Sequence, residues 1–331
     1  MAIIQQILFV LLVIIAIYLF SRKVGEIKAN INLGKSRDLS GNRKERWRNV
    51  LLLAFGQKKM FRNPLVGVLH FLVYAGFIII NIEILEIILD GIFGTHRMFA
   101  EPLGAFYDFV IDFFEVLAVL VAVSCAVFLI RRNIIKLHRF TNGDLKGWPW
   151  KDANAILITE IILMVLFLTM NTTDRALQIQ QHAGYPDHGN FLVSGLLAPS
   201  LTGMSGDALV IIERSAWWLH IIGIFAFLNY LPYSKHFHII LAFPNAYYKP
   251  LKPWGEMYNM PEVQKEVQYV FHPELAPQGN AETPASFGAN DIFGLSWKNL
   301  MDAYTCTECG RCTEVCPANQ TGKLLNPRKI M

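Results

Sequence analysis

Five long apolar runs constrain this chain more than any other feature of its sequence. They cover residues 3–20, 65–89, 109–130, 153–170 and 208–243. A helix needs about 20 predominantly apolar residues to cross the hydrocarbon core of a bilayer, so each run is long enough to form a transmembrane helix. The first run has no basic residue before it and no small-residue cleavage site after it, so we interpret it as a retained helix. The runs predict an all-α, multi-pass membrane protein whose five-helix bundle lies within residues 1–245.

The composition agrees with a membrane protein and disfavours other classes. Hydrophobic residues make up 53% of the chain and charged residues 17%, whereas ordinary globular proteins are roughly 25% charged. These figures exclude two soluble domains, a disordered chain and a disulfide-rich scaffold. The net charge of +4 is small, and we expect membrane lipids, but no nucleic acid, among the partners.

The charges between the apolar runs predict the orientation of the bundle. Lys and Arg outnumber Asp and Glu by 12 to 3 in residues 21–63 and by 6 to 2 in residues 131–152. The counts are 1 to 2 in residues 90–107 and 1 to 3 in residues 172–207. Since basic loops stay on the cytoplasmic side, the N-terminus is predicted outside and the C-terminal part in the cytoplasm. The expected location is the cell inner (cytoplasmic) membrane.

Beyond the last apolar run the sequence becomes polar and rich in proline. Residues 246–300 show no long hydrophobic period and contain Pro250, Pro253, Pro261, Pro273, Pro277 and Pro284. Proline clusters of this kind mark loops, so we interpret this stretch as a cytoplasmic linker. It leads to residues 301–331, which are predicted to begin an α-helical, ferredoxin-like domain.

Four cysteines near the end of the chain carry the strongest chemical signal. Cys306, Cys309, Cys312 and Cys316 have the spacing C-x2-C-x2-C-x3-C, and Pro317 follows. This is the bacterial ferredoxin pattern, which binds [4Fe-4S] clusters through thiolates. Gly310 permits the tight turn and the close backbone approach that N–H···S hydrogen bonds need. A zinc site is the alternative, but structural zinc sites join two separated pairs of ligands.

The same pattern predicts that the four cysteines do not complete one cluster. In two-cluster ferredoxins the fourth cysteine of each motif ligates the other cluster. The fifth cysteine, Cys125, lies in a predicted membrane helix and cannot supply the missing thiolate. Either a partner completes the site or the native chain is longer. We expect a longer chain with a second motif of this kind and two [4Fe-4S] clusters.

Two histidines in the fifth run are spaced as haem ligands. His220 and His238 are eighteen residues apart, which is five turns of an α-helix, so one helix would place them on one face about 27 Å apart. That separation is too long for one iron and suits two haems stacked across a membrane. His236 competes with His238, but it lies 160° from His220 on such a helix.

His70 is the predicted partner of His238. It lies six residues after Pro64, and His238 lies six residues before Pro244. Both histidines are therefore expected near the cytoplasmic ends of their helices, at similar depth. A bis-histidine haem b between the second and fifth helices follows from that placement.

Two stretches of the sequence resemble known families. Residues 220–238, with the two histidines and the Pro-Tyr-Ser-Lys step between them, resemble the last helix of the respiratory nitrate reductase gamma subunit. Residues 306–330, with Gly322-Lys323 and Asn326-Pro327-Arg328, resemble the iron-sulfur subunits of heterodisulfide reductases. The whole chain thus resembles a fusion of the cytochrome b and ferredoxin-type subunits of a heterodisulfide-reductase-like membrane complex.

The resemblance implies a ligand set. It pairs His70 with His238 at an inner haem and makes His220 one ligand of an outer haem. The family's other outer ligand is a histidine ten residues after the first in helix two, and this chain has Ile80 there. Either His96, His182 or His188 replaces it, or the outer haem is absent.

Several carboxyl groups fall inside the predicted membrane helices. They are Glu83, Glu86, Asp112, Glu115 and Glu160. Buried carboxylates are costly unless they are paired or protonated. They either pair with Arg97, Arg175 or Arg214 at the outer edge, contact lipid headgroups, or form a proton route for quinol oxidation.

Together these features predict a membrane electron-transfer subunit. It would pass electrons between menaquinone or another quinone and a cytoplasmic, heterodisulfide-reductase-like iron-sulfur subunit, through haem b and [4Fe-4S]. The chain would be a quinone-linked, respiratory oxidoreductase subunit, with the terminal reaction on another subunit. The alternative is a haem-free membrane anchor or transport subunit with a tethered ferredoxin domain.

Overall fold

The computed structural model describes residues 3–141, 143–189, 191–253, 255–256, 259–276 and 288–331. In these ranges the chain forms helices joined by loops. The longer helices are α1 (Ile3–Ile31), α2 (Pro64–Phe93), α3 (Ala105–Asn133), α4 (Trp148–Ile179), α5 (Gly206–Tyr230), α6 (His238–Tyr247), α7 (Pro261–Phe271) and α8 (Trp297–Thr305).

Shorter helical segments connect the longer helices. The α-helical ones are Arg43–Asn49, Ala100–Leu103, His138–Thr141, Ser194–Leu197, Arg311–Glu314, Pro317–Gln320 and Pro327–Ile330. A π-helical segment covers Val50–Phe55, and 3₁₀ turns cover Met60–Arg62, Gly143–Leu145, Ala198–Leu201, Leu231–Tyr233, Lys235–Phe237, Pro273–Leu275 and Ile292–Gly294.

Helices α1 to α4 contain the first four predicted apolar runs, and α5 contains the first part of the fifth. In the described part of the chain they are the five helices long and apolar enough to cross a membrane. Each begins before or ends beyond its run: α1 continues from residue 20 to Ile31. Once a helix has nucleated, each further residue adds a backbone hydrogen bond, so polar residues extend it without an apolar pattern.

The fifth run departs from the predicted single helix over residues 208–243. Helix α5 ends at Tyr230, two 3₁₀ turns follow, and α6 begins at His238. Pro232 has no backbone N–H to continue the ladder, and Ser234 is extended, with its side chain accepting a hydrogen bond from the N–H of His236. Because the helix is interrupted, the shared helical face and the 27 Å separation inferred for His220 and His238 do not apply.

The five membrane helices pack in a closed order. Helix α1 contacts both α2 and α5, and the pairs α2–α3, α3–α4 and α4–α5 are in contact. Fully buried side chains of the core include Phe9, Ala118, Phe167 and Ile221. We call the end where α1, α3 and α5 finish the basal end, and the end with residues 94–104 and 180–205 the distal end. The basal end carries the two basic loops.

The proline-rich stretch over residues 246–300 contains more structure than the linker prediction implies. An exposed helix, α7, lies within it. Pro277 and Pro284 lie outside the described residues. The ferredoxin-type segment, predicted from residue 301, begins with α8 at Trp297, where Ser296 and Asn299 form a reciprocal capping box.

Candidate functional site

The C-terminal segment packs on the basal end of the bundle. Helix α8 contacts α1 and α6, and the amide of Asn30 donates to the Tyr304 hydroxyl over 2.9 Å. The N–H of Lys35 donates to the carbonyl of Leu295, which lies just before α8, over 2.7 Å. Gly34 lies so close to Trp297 that a Cβ there would be 2.4 Å from its backbone nitrogen. The start of the chain therefore forms part of the surface on which the cysteine segment rests.

The cysteine loop begins where α8 ends. Cys306 is its C-cap, and the N–H of Glu308 donates to the Cys306 sulfur over 3.4 Å. Gly310 has φ 74°, in the left-handed region, which costs glycine little. The sequence predicted both the tight turn and the N–H···S hydrogen bond from the motif alone.

Three of the four thiols are neighbours in the structure. Cys306 interacts electrostatically with Cys309 and Cys312, and burial raises the pKa of the Cys306 thiol. Cys316 is buried, whereas Cys312 is exposed. Among the described residues, no three His, Cys, Asp or Glu side chains are placed to hold a metal ion together. The donor chemistry, the turn and the N–H···S bond fit a [4Fe-4S] group, which would draw the thiolates together.

Ion pairs and hydrogen bonds hold this loop against the membrane bundle. The ammonium group of Lys235 contacts the carboxylate of Glu308 at 3.0 Å, and Arg328 pairs with the other Glu308 oxygen at 2.7 Å. A guanidinium nitrogen of Arg311 lies 3.6 Å from the sulfur of Met60. The loop is thus fastened to residues that precede α2 and follow α5.

A second set of contacts fixes the end of the segment to the loop between α3 and α4. Lys329 pairs with Asp144 at 2.6 Å, and Arg328 donates to the Asp144 carbonyl over 2.7 Å. Asn326 also donates to the Asp144 carboxylate. Hydrogen bonds from Lys329 and Asn326 lower the pKa of the Asp144 carboxyl below its ordinary value of 3.8. Asp144 therefore accepts hydrogen bonds as an anion.

The structure brings His70 and His238 to the basal end, close enough to interact electrostatically. Both rings are oriented through Nδ1, which lies 2.9 Å from the side-chain oxygen of Gln57 in His70 and 2.9 Å from the carbonyl of Lys235 in His238. Metal-ligating histidines commonly donate their other ring N–H in this way, which leaves Nε2 free. The two side chains therefore have the donor chemistry for a bis-histidine haem.

His236 lies beside this pair. Its ring centroid is 5.5 Å from that of His238 and 5.4 Å from that of Phe227. Its Nε2 is 3.9 Å from a carboxylate oxygen of Glu160, so it extends toward the interior of the bundle.

His220 lies apart from that group, within the bundle. It is 2% exposed, and its Nδ1 finds no partner among the described residues. Ile80 and His220 line the same cavity.

The three histidines considered as a second ligand lie at the distal end. The ring of His182 is next to Gly206, the first residue of α5; fourteen residues of helix, about 21 Å, separate that residue from His220. His96 contacts Asp174 at 3.4 Å, and the N–H of His188 donates to Gln178. The structure does not bring any of these three to His220.

A buried polar network around Arg97 fills the distal end, and its acidic partner Asp174 was not among the carboxyls singled out from the sequence. The guanidinium of Arg97 donates to Asp174 at 2.5 Å, to Asn171 at 2.9 Å and to the Tyr107 hydroxyl at 3.1 Å. Tyr107 in turn donates to Glu86 over 2.8 Å. The pKa of Arg97 is raised well above its ordinary value by the charge of Asp174, against the opposing effect of burial. The charge of Asp174, just beyond an apolar run, is the sequence signal that could have revealed this network.

The carboxyls within the membrane helices differ in the groups that they contact. Glu86 accepts from the N–H of Phe99, Asp112 from that of Leu192, and Glu115 from those of Val193 and Ser194. Three of the five carboxyls therefore fasten distal loops to the bundle. The direct ion pairs of the three arginines are instead Arg97–Asp174, Arg175–Asp187 and Arg214–Glu213.

Comparison with known proteins agrees with the chemistry of the cysteine loop. Residues 297–318 match the family model described as a 4Fe-4S binding domain. A probable iron-sulfur-binding oxidoreductase of Bacillus subtilis strain 168, FadF, is 28% identical over 327 residues, covering 99% of this chain and 42% of FadF. The EtfAB:quinone oxidoreductase of Syntrophomonas wolfei is 28% identical over 289 residues, covering 84% of this chain and 35% of the relative.

The chain is similar to iron-sulfur oxidoreductases and carries a 4Fe-4S binding domain. A probable membrane-anchored ferredoxin of Chromohalobacter salexigens is 41% identical over 56 residues, which are 17% of this chain and 7% of that protein. The chain spans less than half the length of the curated relatives named here. No solved structure matches the chain.

Proposed function

We propose that this chain is the membrane part of a quinone-linked electron-transfer oxidoreductase. It would conduct electrons between a quinone such as menaquinone and a cytoplasmic, heterodisulfide-reductase-like iron-sulfur partner, through haem b and [4Fe-4S]. One observation supports this most: the cysteine loop rests on the basal end of the bundle, where Arg311 reaches Met60 and Glu308 pairs with Lys235. The relative named as a quinone oxidoreductase supports the choice of quinone.

The proposed ligands follow from the donor atoms. Nε2 of His70 and of His238 would hold one haem b, since Gln57 and the Lys235 carbonyl occupy the other ring nitrogens. Cys306, Cys309 and Cys312 would bind one [4Fe-4S] group, and Cys316 would join a second, whose other ligands are not in this sequence. Bound haem and iron-sulfur groups supply one-electron chemistry. The chain supplies the ligands and keeps the two sites adjacent.

The basic loops at the basal end support a cytoplasmic position for the cysteine segment, in the inner membrane of the cell. The terminal redox reaction then belongs to another subunit or domain on the cytoplasmic side.

An optical spectrum of the purified protein tests the proposal. A reduced b-type α band, with one haem per chain or more and non-haem iron in the same preparation, is the expected result. A protein that contains iron-sulfur but no haem would instead be a membrane anchor with a tethered ferredoxin domain.

A further inference from the structure

A cavity of about 210 Å³ lies inside the membrane bundle between α2, α4 and α5. Its walls are mainly apolar and include Ile80, Ile84, Met164 and Phe225. A single water needs only roughly 15 Å³, so this space is large enough for a ring system. A ligand that reaches it through the bilayer must itself dissolve in lipid.

Two buried polar side chains line this cavity. Glu160 on α4 is 6% exposed and His220 on α5 is 2% exposed. Nδ1 of His220 has no hydrogen-bond partner among the described residues, and buried polar groups are normally satisfied. Glu160 and His236 are 3.9 Å apart, which is beyond hydrogen-bonding distance. Both cavity groups are therefore available to a ligand with oxygen atoms.

The cavity does not have the ligands for a second bis-histidine haem. Among the described residues that line the cavity, His220 is the one histidine. The facing position on α2 is Ile80, which is apolar and 5% exposed. His96, His182 and His188 lie at the distal end, against Asp174, Gly206 and Gln178 respectively. A haem iron placed here would have one protein ligand.

On the basis of the proposed function, we propose that this cavity binds the ring of a quinone or quinol, with His220 and Glu160 as its hydrogen-bonding partners. A quinol has two hydroxyl groups across its ring, and Nδ1 of His220 and a carboxylate oxygen of Glu160 can each accept one hydrogen bond. In the oxidised ring both oxygens are acceptors, and the O–H of a protonated Glu160 can donate a hydrogen bond to one of them. The isoprenoid tail would lie along the apolar wall formed by Ile84 and Ile88.

Quinone binding by the purified full chain in lipid nanodiscs tests this site. The probe is a naphthoquinone with one isoprene unit, and its dissociation constant is measured by equilibrium dialysis. His220→Ala and Glu160→Ala should each raise that constant at least tenfold. His182→Ala, a histidine at the distal end, is the matched control and should leave it unchanged. The haem content of every variant should equal that of the unmodified chain.

A cavity-filling variant distinguishes loss of the quinone site from misfolding of the protein. Ile80→Phe keeps both polar groups and narrows the space, so it too should weaken quinone binding while the haem spectrum stays unchanged. An unmodified chain that binds no quinone would refute the quinone-linked function itself. If that chain binds quinone and the His220, Glu160 and Ile80 variants bind it equally well, the site is elsewhere and the function stands. Loss of a haem in His220→Ala would make the cavity a haem site.

Discussion

At the residue scale, the orientation of each histidine ring matters as much as its position. His70 and His238 are both held through Nδ1, one by the Gln57 amide and the other by the backbone carbonyl of Lys235. With Nδ1 donating in both contacts, Nε2 is the nitrogen that can bind iron. The sequence predicted both histidines from their depth in the bundle. It could not predict Gln57, because that side chain meets His70 only once the π-helical segment Val50–Phe55 folds against the bundle.

Alanine at either histidine should abolish the same haem signal. His70→Ala and His238→Ala each remove one axial ligand of the proposed haem, so the low-spin b-type band should disappear in both variants. His236→Ala should retain it, because that ring extends toward Glu160. Reduced-minus-oxidised spectra of the three purified variants measure this. A signal that survives without His238 and vanishes without His236 would show that His236, and not His238, is the haem ligand.

Removing Arg97 should destabilise the distal end. The guanidinium is 7% exposed and pairs with the fully buried Asp174, so Arg97→Met leaves a buried carboxylate uncompensated, a loss on the order of 3–5 kcal/mol. The double variant Arg97→Met/Asp174→Asn should lose less than the single variant, because no charge remains unpaired.

Arg175→Ala is the control for this pair. Its partner Asp187 is largely exposed, and exposed pairs contribute about 0–1 kcal/mol. Denaturation by sodium dodecyl sulfate, followed by circular dichroism, gives the unfolding free energies. Equal losses in Arg97→Met and Arg175→Ala would contradict a structural role for the buried network.

At the scale of elements, the interruption between α5 and α6 places His220 and His238 on two separate helices, so they do not share one helical face. Pro232 and Ser234 divide a run that hydropathy alone joins, because Leu231, Phe237 and Ile239 are as apolar as the residues around them. Pro232 is visible in the sequence, but the apolar residues on both sides of it hide the break. The five membrane helices themselves were predictable, since apolar length is set by the bilayer. Their ends were not, because polar residues prolong α1 and α4 through local hydrogen bonds.

The contacts of Asp144 should control docking of the C-terminal segment. Asp144→Ala removes the acceptor of Lys329 and Asn326, so the segment should become more accessible to trypsin after Lys323. Lys329→Ala should have a similar, smaller effect. Glu262→Ala, on the exposed helix α7, is the control and should not alter cleavage. Unchanged cleavage of the Asp144→Ala protein would mean that other contacts hold the segment.

The same carboxyl predicts how docking depends on pH. The pKa of Asp144 is lowered from 3.8 by hydrogen bonds from Lys329 and Asn326. A lowered carboxyl pKa favours the docked state above the ordinary value, and that contribution is lost as the pH falls through the docked-state pKa. Hydrogen exchange of the segment should therefore show constant protection from about pH 7 to about pH 5, with loss at lower pH. Protection that declines already near neutral pH would point to a different titrating group.

At the scale of the whole molecule, the two ends of the bundle differ in chemistry. The basal end carries basic loops, the candidate haem histidines and the cysteine segment, whereas the distal end is closed by the network around Arg97. The cysteine motif could be recognised from spacing because its ligands are close in sequence. The cavity at Glu160 and His220 could not, because it forms only where three helices pack.

Reporter fusions should place these two ends on opposite sides of the membrane. Because loop charge orients membrane helices, a fusion after Lys249 should report the cytoplasm and a fusion after Pro186 the outside. Paired alkaline phosphatase and fluorescent-protein fusions measure the sidedness. The same sidedness at both points would contradict a five-helix topology.

The close approach of Gly34 to Trp297 has a consequence for how the protein matures. Residues 30–35 leave the ribosome long before residues 295–304, which rest on them through Asn30, Lys35 and the parallel bridge to Ser296. A nascent chain whose first helix fails to insert therefore lacks part of the surface on which the cysteine loop packs. The thiols of that loop then remain open to oxidation. We therefore expect iron loading to depend on correct insertion of the first helix, some 260 residues earlier in synthesis.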